Sequence, residues 1–389
     1  MSPMSEPPGI AAGQRWRTLA AIIACVSVFG ATLGLTLPLL SILLERQGVS
    51  ATLIGLNAAT PALAILIGSF FVPVMVRRLG ARRYMLMCLA TSVATLLLMP
   101  AFPNVWAWFP IRFVMGFAIS GLFVVSESWI NQAADDAHRG RIVGVYTTVL
   151  SLGFLIGPAI LSIVGIDPVW PFILAAAVTG LAFLPLATPG LWLPPTGQHG
   201  VGRGALSFFG LVPLLMGAAF LASFGDGAAM ALLPLFALQH GLPETQATFA
   251  IGVAVIGGLC FQVPAGWLAD RIGGRRVMVI GGLIGTAGAF LLPAVVGGPL
   301  LWPVLFVWGG ALIALYTLAL IVLGQRFTGL DLVAGNAAFG IVWGLGNLLG
   351  PAVGGAAMDL FGPSGMPALL GGAAAIFTLG ALLRAPGKA

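Results

Sequence analysis

Runs of roughly twenty or more predominantly apolar residues recur from one end of this chain to the other, and they constrain its fold more than any motif does. The stretches 18–44, 53–76, 142–166 and 208–238 are examples. An α-helix rises about 1.5 Å per residue, so about 20 residues cross a hydrocarbon core about 30 Å thick. Lipid offers no partners to backbone N–H and C=O groups, and a helix satisfies both within its own segment. Only 7% of the 389 residues are charged and 59% are hydrophobic, whereas soluble domains carry about 25% charged residues. With a mean hydropathy of +1.07, the chain is expected to be an all-α membrane protein.

The spacing of these runs predicts twelve transmembrane spans, at 17–44, 50–76, 81–101, 104–131, 139–166, 168–190, 207–238, 245–270, 274–294, 298–325, 329–360 and 364–384. The first run follows Arg15 and Arg17 as a secretory signal would, but it is too long for a signal core and many like it follow. With the N-terminus inside, one set of loops and tails holds nearly all the arginines, among them Arg77, Arg78, Arg82, Arg83, Arg139, Arg141, Arg271, Arg275 and Arg276. The opposite set holds Arg46 alone. That bias places both termini in the cytoplasm of a multi-pass inner-membrane protein. It also explains the sequence pI near 10.0 without a nucleic-acid partner. Cys25, Cys88 and Cys260 fall in apolar segments and His138, His199 and His240 in three separate loops, so neither a disulfide framework nor a metal site is indicated.

Shifted by 193 residues, the chain pairs Gly80 with Gly273, Arg82 and Arg83 with Arg275 and Arg276, and Gly153, Gly157 and Pro158 with Gly346, Gly350 and Pro351. Two separated motifs sharing one offset argue for a duplication of six spans. The expected organisation is a cytoplasmic tail 1–16, a six-helix bundle 17–190, a Pro- and Gly-rich linker 191–206, a second six-helix bundle 207–384 and a tail 385–389.

Gly266-Trp-Leu-Ala-Asp270-Arg271-Ile-Gly273-Gly-Arg275-Arg276 resembles the loop signature of the major facilitator superfamily, and the duplication matches that family's plan of parallel six-helix repeats. The resemblance implies twelve helices in two pseudo-symmetric bundles. It also implies that Asp270 helps close a cytoplasmic gate by facing a helix N-terminus in the other half, where Arg139 and Arg141 lie nearby. The first-half copy reads Arg77 where the acid would stand. Arg112-Phe-Val-Met-Gly116 resembles the family's arginine motif associated with proton coupling; the alternative is an arginine snorkelling to the outer interface. Gly153-Phe-Leu-Ile-Gly157-Pro158 resembles the signature of drug and metabolite antiporters. Its echo at Gly346, Gly350 and Pro351 also reads as packing and gating hardware. Ser126-Glu127-Ser128-Trp129 and Gln262-Val-Pro-Ala-Gly266 resemble bacterial members of poorly defined substrate.

Asp226 and Glu127 are the remaining intramembrane acids singled out, and such groups are functional candidates by default. Asp226 sits mid-span between Gly225 and Gly227, and an alignment through Pro38 and Pro234 places Gly30 opposite it in the first half. An acid in only one half suits coupling better than scaffold symmetry; the bland alternative is a hydrogen bond to a neighbouring helix. Glu127 lies about 22 Å along its helix from Arg112, too far for a pair, and an inner-gate ion pair competes with a transport role. Thr32, Thr36, Asn57, Tyr146, Gln262, Tyr316, Trp343 and Asn347 are the candidate cavity residues, a set suited to an amphipathic or weakly polar solute.

Together these features predict a secondary transporter that moves a small organic solute by alternating access, with proton-coupled export of drug or metabolite type as the first reading. A proton-coupled importer and a non-transporting membrane receptor are the alternatives. The expected partners are a small-molecule substrate, protons and the lipid bilayer, with the chain acting as a monomer. No cofactor is expected, since no phosphate-binding loop with its lysine occurs, and no enzyme activity, since no span contains histidine to serve a nucleophile.

Overall fold

The computed structural model describes residues 12–133, 139–188 and 204–383, and among the described residues it is helical without a strand. In chain order the helices are α1 (Ala12–Arg46), α2 (Ala51–Leu79), α3 (Ala81–Ala101), α4 (Val105–Ala133), α5 (Arg139–Val164), α6 (Trp170–Leu181), α7 (Pro213–Gln239), α8 (Glu244–Ile272), α9 (Gly274–Val295), α10 (Leu301–Arg326), α11 (Gly329–Phe361) and α12 (Gly365–Leu383). Among the described residues eleven apolar segments are long enough to cross a membrane, and α5 adds the apolar stretch Thr148–Leu161. The spans expected from hydropathy correspond to these helices one for one.

The sixth differs in detail, because α6 stops at Leu181 and resumes as one turn, Phe183–Ala187. Pro185 has no N–H to give the Leu181 carbonyl four residues earlier, which accounts for the interruption. The expected linker falls mostly in residues 189–203, outside the described part. Beyond it come two short turns, Ala205–Ser207 and Phe208–Leu211, and α7 then opens on Pro213 at its first position, where proline's fixed φ suits a helix start.

Compactness does not follow the sequence repeat. One compact unit takes residues up to Leu33, Ala64–Ile156 and Val169–Gln198; the other takes Gly34–Leu63, Gly157–Pro168 and the chain from His199 onward. The helices α1, α2 and α5 therefore each contribute one part to either unit. The first unit is centred on Ile22, Cys25 and Val26 of α1, Met85 and Leu89 of α3 and Leu122 and Trp129 of α4. In the second, α7 packs on α11, α8 on α10 and α9 on α12.

Hydrophobic burial gives little drive for helix association within lipid, so close van der Waals contact must supply it. Small residues make that contact possible here. A Cβ placed on Gly257 of α8 would come within 2.0 Å of the Phe306 carbonyl oxygen of α10, and one on Gly309 of α10 within 2.4 Å of the Ala254 oxygen of α8.

The duplicated arginines have a job beyond setting orientation. Arg82 donates from Nε to the Leu186 carbonyl at 3.1 Å and from Nη2 to the Ala187 carbonyl. Arg275 does the same for the second repeat, with bonds of 3.0 and 3.1 Å to the Ala381 and Leu382 carbonyls. Each guanidinium thereby satisfies carbonyls at the end of the last helix of its repeat, where helix ends favour positive charge. Preceding them, Gly80 and Gly273 take φ of +78° and +91°, the left-handed conformation that turns α2 into α3 and α8 into α9 and that favours glycine.

Candidate functional site

The two glycine-proline motifs perform equivalent packing. Gly153 of α5 lies against Gly30 and Ala31 of α1, and Gly157 against Gly34 and Leu35. Gly346 of α11 lies against Ser223 and Phe224 of α7, and Gly350 against Phe224 and Ala228. A side chain at Gly157 or Gly350 would put its Cβ 2.2 Å from backbone atoms of the facing helix. Pro158 and Pro351 follow within the same helices. These contacts also set the register between the repeats. Gly30 plays the part of Ser223, an offset of 193, so the first-repeat residue opposite Asp226 is Leu33 rather than the Gly30 suggested by aligning Pro38 with Pro234. The acid still has no acidic counterpart.

Asp226 is partly buried on α7 and has neither a hydrogen bond nor an ion pair among the described residues. It lines a cavity of about 30 Å³ between α7, α8 and α10. Its neighbours hold it between two other helices, for Gly225 faces Leu312 of α10 and Gly227 faces Asn347 of α11. Asn347 donates from Nδ2 to the Trp343 carbonyl at 3.1 Å, and the Trp343 ring lies 4.6 Å from that of Tyr316 on α10. Asn347, Trp343 and Tyr316 thus form one polar and aromatic patch of the second unit, with Asn347 against Gly227, the residue after Asp226.

The other candidates are more dispersed. Gln262 is half-buried on α8, Thr36 and Asn57 are buried in the second unit, and Thr32 is buried in the first. The side chain of Tyr146 lies outside the described part, as do those of Arg139 and Arg141. Arg112 is 1% exposed and lies buried within its unit. Glu127 is exposed on α4. Asp270 is exposed at the end of α8 without an ion pair among the described residues, while the neighbouring Arg271 stacks on Trp267 at 3.7 Å.

Beside the twelve helices among the described residues and the 193-residue repeat stands a match to a family description covering residues 20–216 and 215–389, that of the Major Facilitator Superfamily. The chain belongs to this superfamily. It is 29% identical over 350 residues to the uncharacterized MFS-type transporter YfkF of Bacillus subtilis, a match spanning 87% of this chain and 88% of the relative. It is 25% identical over 319 residues to the uncharacterized MFS-type transporter YcaD of Escherichia coli, across 79% and 80% of the two chains. The same fold occurs in the nucleoside transporter NupG, with a TM-score of 0.76 at 13% identity over 95% of this chain and 98% of that one. It occurs too in a D-xylose-proton symporter, with a TM-score of 0.74 at 17% identity over 96% and 98%.

Within this superfamily member, a second group of polar residues gathers at the end of the second unit that carries the α1–α2 and α7–α8 turns. Arg46 forms a two-pronged ion pair with Glu244, with Nε–Oε1 and Nη2–Oε2 distances of 2.7 and 2.5 Å, and its Nη1 donates to the Ile166 carbonyl at 2.9 Å. Asp359, near the end of α11, accepts from the N–H of Ala51 at 3.0 Å, the N–H of Thr52 at 2.8 Å and the Thr52 hydroxyl at 2.5 Å. The first two N–H groups of α2, which have no partner within their own helix, are thus capped by an acid from the other repeat. Between them the backbones nearly touch: a Cβ on Gly355 would lie 2.2 Å from the Ala51 oxygen, and one on Gly55 2.1 Å from the Pro351 oxygen. Sequence reasoning missed Asp359. Its signal was an acid four residues beyond two adjacent glycines at the end of a span.

Proposed function

We propose that the chain is a proton-coupled exporter of a small, weakly polar organic solute working by alternating access. The observation that carries the coupling is Asp226, an acid in the middle of a span, with no counter-charge among the described residues and with no acidic equivalent in the first repeat. An ionisable group so placed is costly to keep and marks a functional site. The patch of Tyr316, Trp343 and Asn347 beside it favours a solute with a flat apolar part and few hydrogen-bonding groups. The arginine asymmetry favours cytoplasmic termini in the inner membrane. In that orientation the Arg46–Glu244 and Asp359–α2 contacts belong to the outer face, where they close one side of the transport cycle. The glycine-proline motif favours export over import.

The decisive experiment is a solute screen in proteoliposomes with an imposed pH gradient. Wild-type protein should drive at least one amphipathic solute against its gradient in exchange for protons, and Asp226→Asn should retain solute exchange while losing gradient-driven accumulation. An Asp226→Asn carrier with unchanged pH dependence refutes the coupling role, and an import direction in the same assay selects the alternative reading.

A further inference from the structure

The cavity beside Asp226 is small and lies within one unit. It measures about 30 Å³, and apart from Asp226 its lining is almost wholly apolar, with Met230 of α7, Ile251 and Ala254 of α8 and Leu312 of α10 among its walls. The exception is Trp308 of α10, which lines the same cavity. Its side chain is 1% exposed and its indole Nε1 has no hydrogen-bond partner among the described residues. Buried indole N–H groups ordinarily find an acceptor. Two residues that line one cavity, Trp308 and Asp226, thus each carry a polar group without a partner among the described residues.

The size of the cavity selects its occupant. One water needs at least about 10–15 Å³ of such space and two to four polar partners, so the cavity suits a single water. An organic group would need a pocket of about 300 Å³ or more, and a hard cation would need about six oxygen ligands where one carboxylate stands. The indole is also held in place. Gly288 of α9 leaves room for it, since a Cβ there would come within 2.9 Å of Trp308 Cδ1 and 3.0 Å of its Cβ. Charged groups on the described parts of the helices packed against α7 lie toward helix ends: Glu244, Asp270 and Arg271 on α8, Arg326 on α10, and Asp331 and Asp359 on α11, with none on α12. The other titratable side chains there are Cys260 of α8 and Tyr316 of α10.

We propose that this cavity holds one water, which accepts from the Trp308 indole N–H and donates to the Asp226 carboxylate, and that Trp308 is a positioning residue for the proton Asp226 exchanges. The second clause rests on the coupling role of Asp226; the water does not.

Radiolytic hydroxyl footprinting of the full chain in lipid nanodiscs tests the water directly, because bound water under a millisecond X-ray pulse oxidises the side chains beside it. Met230 in the cavity wall should be oxidised severalfold more than Met278 and Met366, which are 1% and 0% exposed, and Asp226→Leu should bring it down to their level. Oxidation of wild-type Met230 no greater than that of the two references overturns the proposal without need of any variant. For Trp308, the infrared carboxyl band that disappears in Asp226→Asn should move to higher wavenumber in Trp308→Phe, because a water without the indole N–H to accept from is held less firmly and its hydrogen bond to the Asp226 carboxyl weakens. An unmoved band removes Trp308 from the site. A strong Met230 signal combined with unchanged proton coupling in Asp226→Asn keeps the water and overturns the coupling reading instead.

Discussion

Removing the Asp359 carboxylate should open the end of the protein that carries the α1–α2 turn, by an amount that the geometry sets. In the structure this side chain caps the N–H groups of Ala51 and Thr52 at 3.0 and 2.8 Å. A side-chain cap is worth about 0.5–2 kcal/mol, and a negative charge at a helix N-terminus about 0.3–1 kcal/mol where exposed. The two overlap, and because the group is largely solvent-exposed a total of about 1–2 kcal/mol is reasonable, a factor of roughly 5–30 in a two-state ratio. Asparagine keeps an acceptor oxygen and loses the charge, so Asp359→Asn should cost only about 0.3–1 kcal/mol. Spin labels at Gln47 and Gln246, in a variant lacking Cys25, Cys88 and Cys260, would report the separation by double electron–electron resonance. The long-distance fraction should rise from wild type through Asp359→Asn to Asp359→Ala, and added salt should shrink the first step alone. If Asp359→Ala leaves the distance distribution unchanged, the cap does not stabilise this conformation and the reasoning fails.

Other outcomes follow from neighbouring features. A double-mutant cycle on Arg46→Ala and Glu244→Ala should return a coupling near the top of the range of about 0.2–1 kcal/mol seen for exposed pairs, because the contact is two-pronged; zero coupling would mark the pair as incidental. Gly350→Ala, whose Cβ would meet the Phe224 oxygen at 2.2 Å, should lower the melting temperature far more than Gly153→Ala, where the nearest contact is 3.1 Å; equal shifts would refute the packing account. Asp270→Asn should lengthen distances between labels on the cytoplasmic ends of the two repeats, and no lengthening would remove Asp270 from the gate. Reporter fusions at Ala81, Gln198 and Ala389 should read cytoplasmic and those at Gly48, Asn104 and Gly241 the opposite, one reproducible inversion being enough to overturn the orientation.

Helix number, approximate bounds and the duplication were legible because lipid leaves a chain so few choices. Each apolar run had to be a helix, and the 193-residue offset reappears as α1 on α5 and α7 on α11. What escaped the sequence depends on contacts between distant segments. Nothing local marks Arg82 and Arg275 as caps for carbonyls more than a hundred residues away, and loop arginines read equally well as orientation signals. Asp359 looked like an ordinary polar residue at a span end, since the helix it caps begins 308 residues earlier. Aligning prolines misplaced the partner of Asp226 by three positions, because Pro38 and Pro234 stand 196 residues apart against the 193 of the glycine and arginine motifs, and the glycine contacts follow the 193 offset.

The division of α1, α2 and α5 between the two compact units governs how this carrier can be taken apart. A gene cut at the linker would give an N-terminal fragment whose segments 34–63 and 157–168 have been separated from the chain beyond residue 198 that they pack with. Backbone at Ala51 and Gly55, pressed in the intact protein against Gly355 and Pro351, would lie open to lipid or detergent. Such a fragment should be prone to degradation when made alone, and a split carrier should regain activity when both pieces are synthesised in the same cell, not when they are purified apart and mixed.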